Sequence, residues 1–176
     1  MRYLNNEMSN NDYKKLGIAP RFHEVLSTGL YTGLIPYAPG TAAALVALLI
    51  WYGLYIVLSP LALLWTTIGL IVVVTVIGVW TSNVMEQYWG PDPRAVVIDE
   101  YVGTWIPLLA APCGEYTMLL AFIGFALFRI IDIFKPLGCR KIEQVMPSGW
   151  GVMFDDILAG SYSLIIVIII KYLWFS

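Results

Sequence analysis

The sequence predicts an all-α fold: a polytopic membrane helical bundle with about five spans and an N-terminal interfacial or re-entrant segment. Hydrophobic residues make up 59% of the 176 residues, more than one soluble core of this size can bury. Charged residues make up only 12%, about half the usual share. Apolar stretches approaching the ~20 residues needed to cross a bilayer recur along the chain.

Five apolar stretches are the predicted spans. Ser59-Pro60 alone separates the first two, which should form a helical hairpin. The third is short, and it reaches the length of a span only if Asp99 and Glu100 lie on its first turn. The polar, proline-containing residues 81–97 are predicted to form a loop. The predicted spans are residues 41–58, 61–80, 102–111, 116–133 and 157–175.

The N-terminal part divides into a tail and a broken apolar segment. Polar residues 1–21 are predicted as a flexible cytoplasmic tail, and residues 22–176 as one membrane-embedded domain. Within it, residues 24–40 contain three glycines and two prolines, too many for a span. We expect an interfacial helix, then a loop that dips back toward the bundle where protein or water covers it. That loop is predicted to line the substrate site; a plain connection is the alternative.

The distribution of basic residues predicts the orientation. With five spans, nine Lys and Arg residues fall on the N-terminal side, and Lys171 alone lies toward the other face. Because cytoplasmic loops carry the excess of Lys and Arg, the N-terminus should be cytoplasmic and Ser176 extracytoplasmic. The formal net charge of −2 shows no nucleic-acid signature.

Five acidic residues are predicted to meet at the cytoplasmic helix ends. Asp99 and Glu100 open the third span, Asp132 closes the fourth, and Asp155 and Asp156 open the fifth. The helix dipole alone could account for acids at helix starts, but it opposes Asp132 at a helix end. Crowded carboxylates repel one another, and a bound divalent cation, chiefly Mg²⁺, removes that conflict.

Basic residues lie close to these acids in the sequence. Arg129 and Lys135 flank Asp132, and Arg140 and Lys141 follow. Carboxylates, a metal and cations together can hold a phosphate and stabilise the charge that develops on it. Arg140 and Lys141 also have a simpler interpretation, in which they only set the orientation of the chain.

Four motifs resemble the phosphatidylglycerophosphatase A family, in its order and spacing. They are residues 39–41 (Pro-Gly-Thr), 99–105 (Asp-Glu-Tyr-Val-Gly-Thr-Trp), 128–136 (Phe-Arg-Ile-Ile-Asp-Ile-Phe-Lys-Pro) and 149–160 (Gly-Trp-Gly-Val-Met-Phe-Asp-Asp-Ile-Leu-Ala-Gly). The resemblance covers about residues 24–170. The chain departs from the family after Thr41, after Pro136, where a second proline is missing, and at Ser148, but at no acidic position.

The resemblance implies an Mg²⁺-dependent enzyme of the bacterial inner membrane. Its substrate would be phosphatidylglycerophosphate, and its products phosphatidylglycerol and phosphate, released at the cytoplasmic face. The carried-over residues are catalytic and metal-binding Asp99, Glu100, Asp132, Asp155 and Asp156, and phosphate-binding Arg129 and Lys135. We add Thr32 and Thr41 as predicted phosphate-binding residues.

Other phosphatase chemistries need residues that this sequence lacks, and two other functions remain as alternatives. Neither cysteine is followed by Arg six positions later, and the single histidine, His23, cannot support histidine-based phosphatase chemistry or a Cys/His zinc site. Asp-x-Asp and CDP-alcohol phosphotransferase motifs are absent from the sequence. Attack by metal-activated water is the leading mechanism, with a nucleophilic Asp left open. The alternative functions are a small cation transporter and a structural protein whose acids cap helices.

Overall fold

The part of the chain described by a computed structural model comprises residues 18–90, 93–112, 114–134 and 149–174. Within these ranges the protein is all-helical, which confirms the predicted fold class. Short 3-10 turns occupy Thr32–Leu34 and Gly114–Tyr116. The α-helices are α1 (Arg21–Ser27), α2 (Pro39–Val57), α3 (Pro60–Trp89), α4 (Ile98–Leu108), α5 (Thr117–Phe134) and α6 (Gly149–Trp174).

The α2–α3 hairpin forms as its sequence predicts. Pro39 and Pro60 lie in the first turns of the two helices, where a proline costs no hydrogen bond. Ser59 caps α3, because its hydroxyl accepts a hydrogen bond from the Ala62 backbone N–H at 3.4 Å. Inside the hairpin, the Trp51 indole N–H donates to the Thr67 hydroxyl at 3.1 Å.

The predicted loop 81–97 is wrong over its first nine residues, because α3 continues to Trp89. Low hydropathy ended the predicted span, but polar residues do not by themselves break a helix. The helix ends only at Gly90, whose φ of 88° lies in the left-handed region. Its last turns bury Ser82 and Met85 against the other helices, so tertiary packing stabilises them.

Helix α4 is short and enclosed by protein. Its residues Ile98 and Glu100 to Leu108 are all buried, because α2, α3, α5 and α6 pack around it. Asp99 and Glu100 lie on its first turn, as predicted. Its 11 residues rise only about 16 Å, roughly half the hydrocarbon thickness of a bilayer. Four segments of the described residues are long and apolar enough to cross a membrane, and α4 is not among them. The fifth span therefore remains a prediction.

The N-terminal segment folds back onto the start of α4, as predicted. The Val97 backbone N–H donates to the Ser27 carbonyl at 2.9 Å, and the Tyr101 hydroxyl donates to the Gly29 carbonyl at 3.0 Å. Gly29 has a φ of +54°, and a Cβ there would lie 2.6 Å from the Tyr101 ring. Only glycine therefore fits both the backbone and the contact at this position.

Lys171 and Arg129 lie near opposite ends of the bundle. At the end away from the acids, the Lys171 ammonium of α6 donates to the Ala110 carbonyl at 3.1 Å, just beyond the C-terminus of α4. Arg129 lies near the other end, close to the C-terminus of α5. This separation agrees with the predicted placement of Lys171 away from the other cations.

The five-span topology predicts that a reporter fused after Ser176 lies outside the cytoplasm. An alkaline phosphatase fusion, active only outside, should give signal at Ser176 and none when fused before residue 22. The physical reason is the distribution of Lys and Arg, nine against one. A cytoplasm-only reporter that works at Ser176 would contradict the topology.

Candidate active site

Three helices bring the five predicted acids to one end of the bundle. Asp99 and Glu100 come from the first turn of α4, and Asp132 from the last turn of α5. Asp156 on α6 interacts electrostatically with Asp99, Glu100 and Asp132. Glu100, Asp155 and Asp156 are buried, with at most 8% of each residue exposed. Buried charges of one sign require compensation by a cation or by protons.

Three of the acids form a group that could hold a metal ion. One carboxylate oxygen from each of Asp132, Asp155 and Asp156 lies within 4.8 Å of the others. Ligands on opposite sides of Mg²⁺ lie about 4.2 Å apart, twice the ~2.1 Å Mg–O bond, so small side-chain shifts would suffice. Asp99 Oδ1 and Asp156 Oδ2 are also buried without a hydrogen-bond partner among the described residues. This all-oxygen donor set fits a hard divalent cation.

Arg129 connects the acids to the start of α2. Its Nη1 donates to the Glu100 carboxylate in a short contact and to Asp132 Oδ2 at 3.1 Å. Its Nη2 donates to the Thr41 hydroxyl at 3.3 Å, and this contact is exposed. The guanidinium therefore has an inner edge held by carboxylates and an outer edge beside Thr41. The contact at the outer edge is the exposed one.

Glycines set the spacing between the helices that carry the acids. A Cβ on Gly103 would overlap the Phe128 ring and lie 3.2 Å from the Asp156 Cβ. A Cβ on Gly160 would lie 2.7 Å from the Gly103 carbonyl oxygen. Because neither glycine has a side chain, α4 and α6 approach closely enough for Asp99 and Asp156 to interact.

The helix dipole does not account for Asp155 and Asp156. The predicted span began at residue 157, but α6 begins at Gly149, so these acids lie in its second turn. The favourable effect of a helix N-terminus falls off within the first turn. The cap interpretation therefore fails for these two acids, and for Asp132, which lies in the last turn of α5.

The predicted phosphate-binding residues have different outcomes. Arg129 and Thr41 are brought together at the acid end. Thr32 donates to the carbonyls of Thr28 and Gly29, at 3.2 and 2.9 Å, within its own turn. Among the described residues no hydrogen bond joins Thr32 to Arg129, so its role remains a prediction. Lys135 lies outside the described residues, as do Arg140 and Lys141.

Two contributors were missed by the sequence analysis. Gly40 lies where a Cβ would overlap the Glu100 carboxylate, so α2 approaches the acids only because residue 40 has no side chain. Its signal was present in the Pro-Gly-Thr motif. Asn83 accepts a hydrogen bond from the Gly149 backbone N–H at 2.9 Å and positions the start of α6. No sequence pattern indicated the contact of Asn83 with α6, because residues 81–97 were predicted to be a loop and not part of a helix.

Gly40→Ala should disturb the candidate site, and Gly53→Ala is its matched control on α2. The new methyl group at residue 40 must displace Glu100, so we expect a loss of about 1–3 kcal/mol in unfolding free energy and reduced activity. Nothing lies within 4 Å of a Cβ at Gly53, where Ala should be neutral or stabilising. Thermal melts and phosphate release measure both effects. Equal behaviour of the two variants would contradict the close approach at Gly40.

One family model and several known proteins match the sequence of this chain. The family model described as Phosphatidylglycerophosphatase A matches residues 25–171. Phosphatidylglycerophosphatase A of Escherichia coli K12 is 34% identical over 85% of this chain and 84% of its own. The protein of that name from Haemophilus influenzae is 33% identical over 93% of this chain and 96% of its own.

A Bacteroides thetaiotaomicron protein named "Putative phosphatidylinositol-3-phosphatase" is 51% identical over 87% of this chain and 96% of its own. No solved structure matches the chain significantly. The family match spans most of the chain, including all five acids and Arg129. The chain therefore belongs to the phosphatidylglycerophosphatase A family and is a phosphatase enzyme.

Proposed function

We propose that this enzyme is an Mg²⁺-dependent lipid phosphatase that hydrolyses the terminal phosphomonoester of phosphatidylglycerophosphate. Water adds to phosphorus, the bond to the lipid oxygen breaks, and phosphatidylglycerol and inorganic phosphate leave. The observation that carries the proposal is the group of Asp132, Asp155 and Asp156 beside Arg129 at one end of an apolar bundle. The active site is proposed to face the cytoplasm of a bacterial inner membrane.

The residues divide into a metal-holding part and a phosphate-holding part. Asp132, Asp155 and Asp156 would hold the ion, with the buried Oδ1 of Asp99 close to Asp156. When bound, Mg²⁺ supplies Lewis-acid stabilisation of phosphoryl charge and favours deprotonation of the attacking water. Arg129 binds the phosphate oxygens through its outer edge, and Thr41 supports that edge. Glu100 orients the guanidinium through its inner edge.

The transporter interpretation is less consistent with this arrangement. Asp132 lies in the last turn of α5, and Asp99 and Glu100 lie in the first turn of α4. Transport sites lie near the middle of the membrane, whereas these acids gather at helix ends. An ion pair with a neighbouring phosphate-binding cation suits catalysis on a headgroup better than passage of an ion.

A phosphatidylinositol monophosphate is the second candidate substrate. Its specific support is the Bacteroides relative, which at 51% identity is more similar than the two relatives named for phosphatidylglycerophosphate. Both lipids present a phosphomonoester to the same carboxylates and Arg129. The headgroup alcohol is the part that differs, so selectivity must come from residues around the phosphate and not from the metal ligands.

Phosphate release by detergent-purified protein tests both the reaction and the cation. We expect turnover of phosphatidylglycerophosphate, loss of activity after exhaustive chelation, and recovery with Mg²⁺. Phosphatidylinositol 3-phosphate, assayed in parallel, identifies the preferred headgroup from the ratio of kcat/KM values. Full activity without divalent cations would contradict the metal role. Turnover of neither lipid would contradict the proposed function.

A further inference from the structure

An apolar cavity lies between α2 and α5, in the part of the chain predicted to cross the membrane. Its volume is about 260 Å³, and apolar side chains and one tyrosine line it. That exceeds the ~150 Å³ of an apolar cavity able to take up benzene. Leu48 and Tyr52 line it from α2, and Met118 and Phe122 from α5. It opens to the outside of the bundle, where 63% of Phe122 is exposed.

The cavity is in register with the phosphate-binding pair. Thr41 and Arg129 meet at the acid end of the same two helices, which run antiparallel. Leu48 follows Thr41 by seven residues, and Phe122 precedes Arg129 by seven. Residues seven apart share a helix face, and seven residues rise about 10 Å. The cavity thus begins about two turns below the pair on both helices.

The deeper end of the cavity keeps the same register. Tyr52 and Met118 lie 11 residues from Thr41 and Arg129, respectively, again on the same helix faces. The cavity, called the cleft from here on, therefore extends from about 10 to about 16 Å below the guanidinium. It remains open because α2 packs mainly against α4 and only sparsely against α5.

We infer that this cleft binds one acyl chain of the phospholipid substrate while its phosphate contacts Arg129. The inference rests on the proposed function and adds a separate binding site for the hydrocarbon part of that substrate. The occupant is argued from register, because the apolar cleft lies on the same faces of α2 and α5 as Thr41 and Arg129, about 10 to 16 Å along the helices from the phosphate-binding pair. Arg129 Nη2 donates to Thr41 in an exposed contact, whereas Nη1 donates to Asp132.

Filling the cleft should selectively impair long-chain substrates. Met118→Trp places a large ring at the cavity, and Leu49→Trp does so from the facing helix. Leu119→Trp is the matched control, because Leu119 is exposed on α5 and does not line the cavity. Each protein is assayed on a long-chain and on a short-chain, water-soluble phosphatidylglycerophosphate.

The expected result is a rise of about tenfold in KM for the long-chain lipid in both cleft variants, from lost burial of about two methylene groups. The ratio of long-chain to short-chain kcat/KM should fall accordingly, and the control should keep the wild-type ratio. Wild-type ratios in both cleft variants, or an equal fall in Leu119→Trp, would overturn the acyl-chain site. Wild-type protein that cleaves both lipids without preferring the long-chain form would overturn it too, leaving the proposed function intact. Wild-type protein that cleaves neither would overturn the proposed function as well.

Discussion

Asp132→Asn should lower kcat by about 10²-fold or more, at least as much as any other single substitution, while the protein still folds. Asp132 makes two kinds of contact in the structure. One of its oxygens belongs to the group with Asp155 and Asp156, and Oδ2 accepts a hydrogen bond from Arg129. Asn keeps the size of the side chain but removes the charge that a metal ion requires. Asp132 lies in the last turn of α5, where the helix dipole disfavours a carboxylate. Removing its charge therefore need not destabilise the helix.

Thermal stability provides a second measurement for Asp132. A ligand that binds only the folded protein stabilises it by about 2.7 kcal/mol at a hundred times its Kd. Wild-type protein should therefore melt at a higher temperature with saturating Mg²⁺ than with chelator, and Asp132→Asn should lose most of that difference. Glu115→Gln, in the 3-10 turn that precedes α5, is the charge-matched control. Near-wild-type turnover with an unchanged Mg²⁺ response would mean that Asp132 is only a partner of Arg129.

Arg129→Lys should lower kcat/KM by about 10²-fold, although the positive charge remains. The guanidinium contacts Glu100, Asp132 and Thr41 at once, through two nitrogens on different edges. An ammonium group is a point charge without this fork, so it cannot keep both carboxylates and still offer an edge to a phosphate. Losing one donor of this kind costs about 10²–10³ in rate in other enzymes.

Product inhibition separates binding from structural roles of Arg129. We expect the inhibition constant for inorganic phosphate to rise in Arg129→Lys, because phosphate contacts the same guanidinium. Arg21→Lys, the same exchange on the exposed side chain of α1, should leave turnover and inhibition unchanged. An unchanged inhibition constant together with a lower melting temperature would show that Arg129 only joins α2, α4 and α5.

Hydropathy predicted most of the helices, but the residues at which they begin and end depended on contacts with neighbouring helices. The hairpin of α2 and α3 and the position of α5 follow from apolar runs interrupted by proline. The last nine residues of α3 and the first eight of α6 were missed. These polar turns are stabilised by contacts such as Asn83 with Gly149, which no apolar periodicity reveals. Helix α4, buried on every side, is too short to resemble an ordinary span.

The sequence by itself determined which chemistry is present: an apolar helical chain with five acids and Arg129 at predicted helix ends. It could do so because lipid requires long apolar helices, and charged residues are costly except at functional positions. Only the tertiary structure decided which of those acids lie together as a possible metal site and which contact Arg129. Helix packing across Gly40, Gly103 and Gly160 sets Asp132, Asp155 and Asp156 together and turns Glu100 toward Arg129. Such distances depend on side-chain volume between helices far apart in the chain, and no local pattern encodes them.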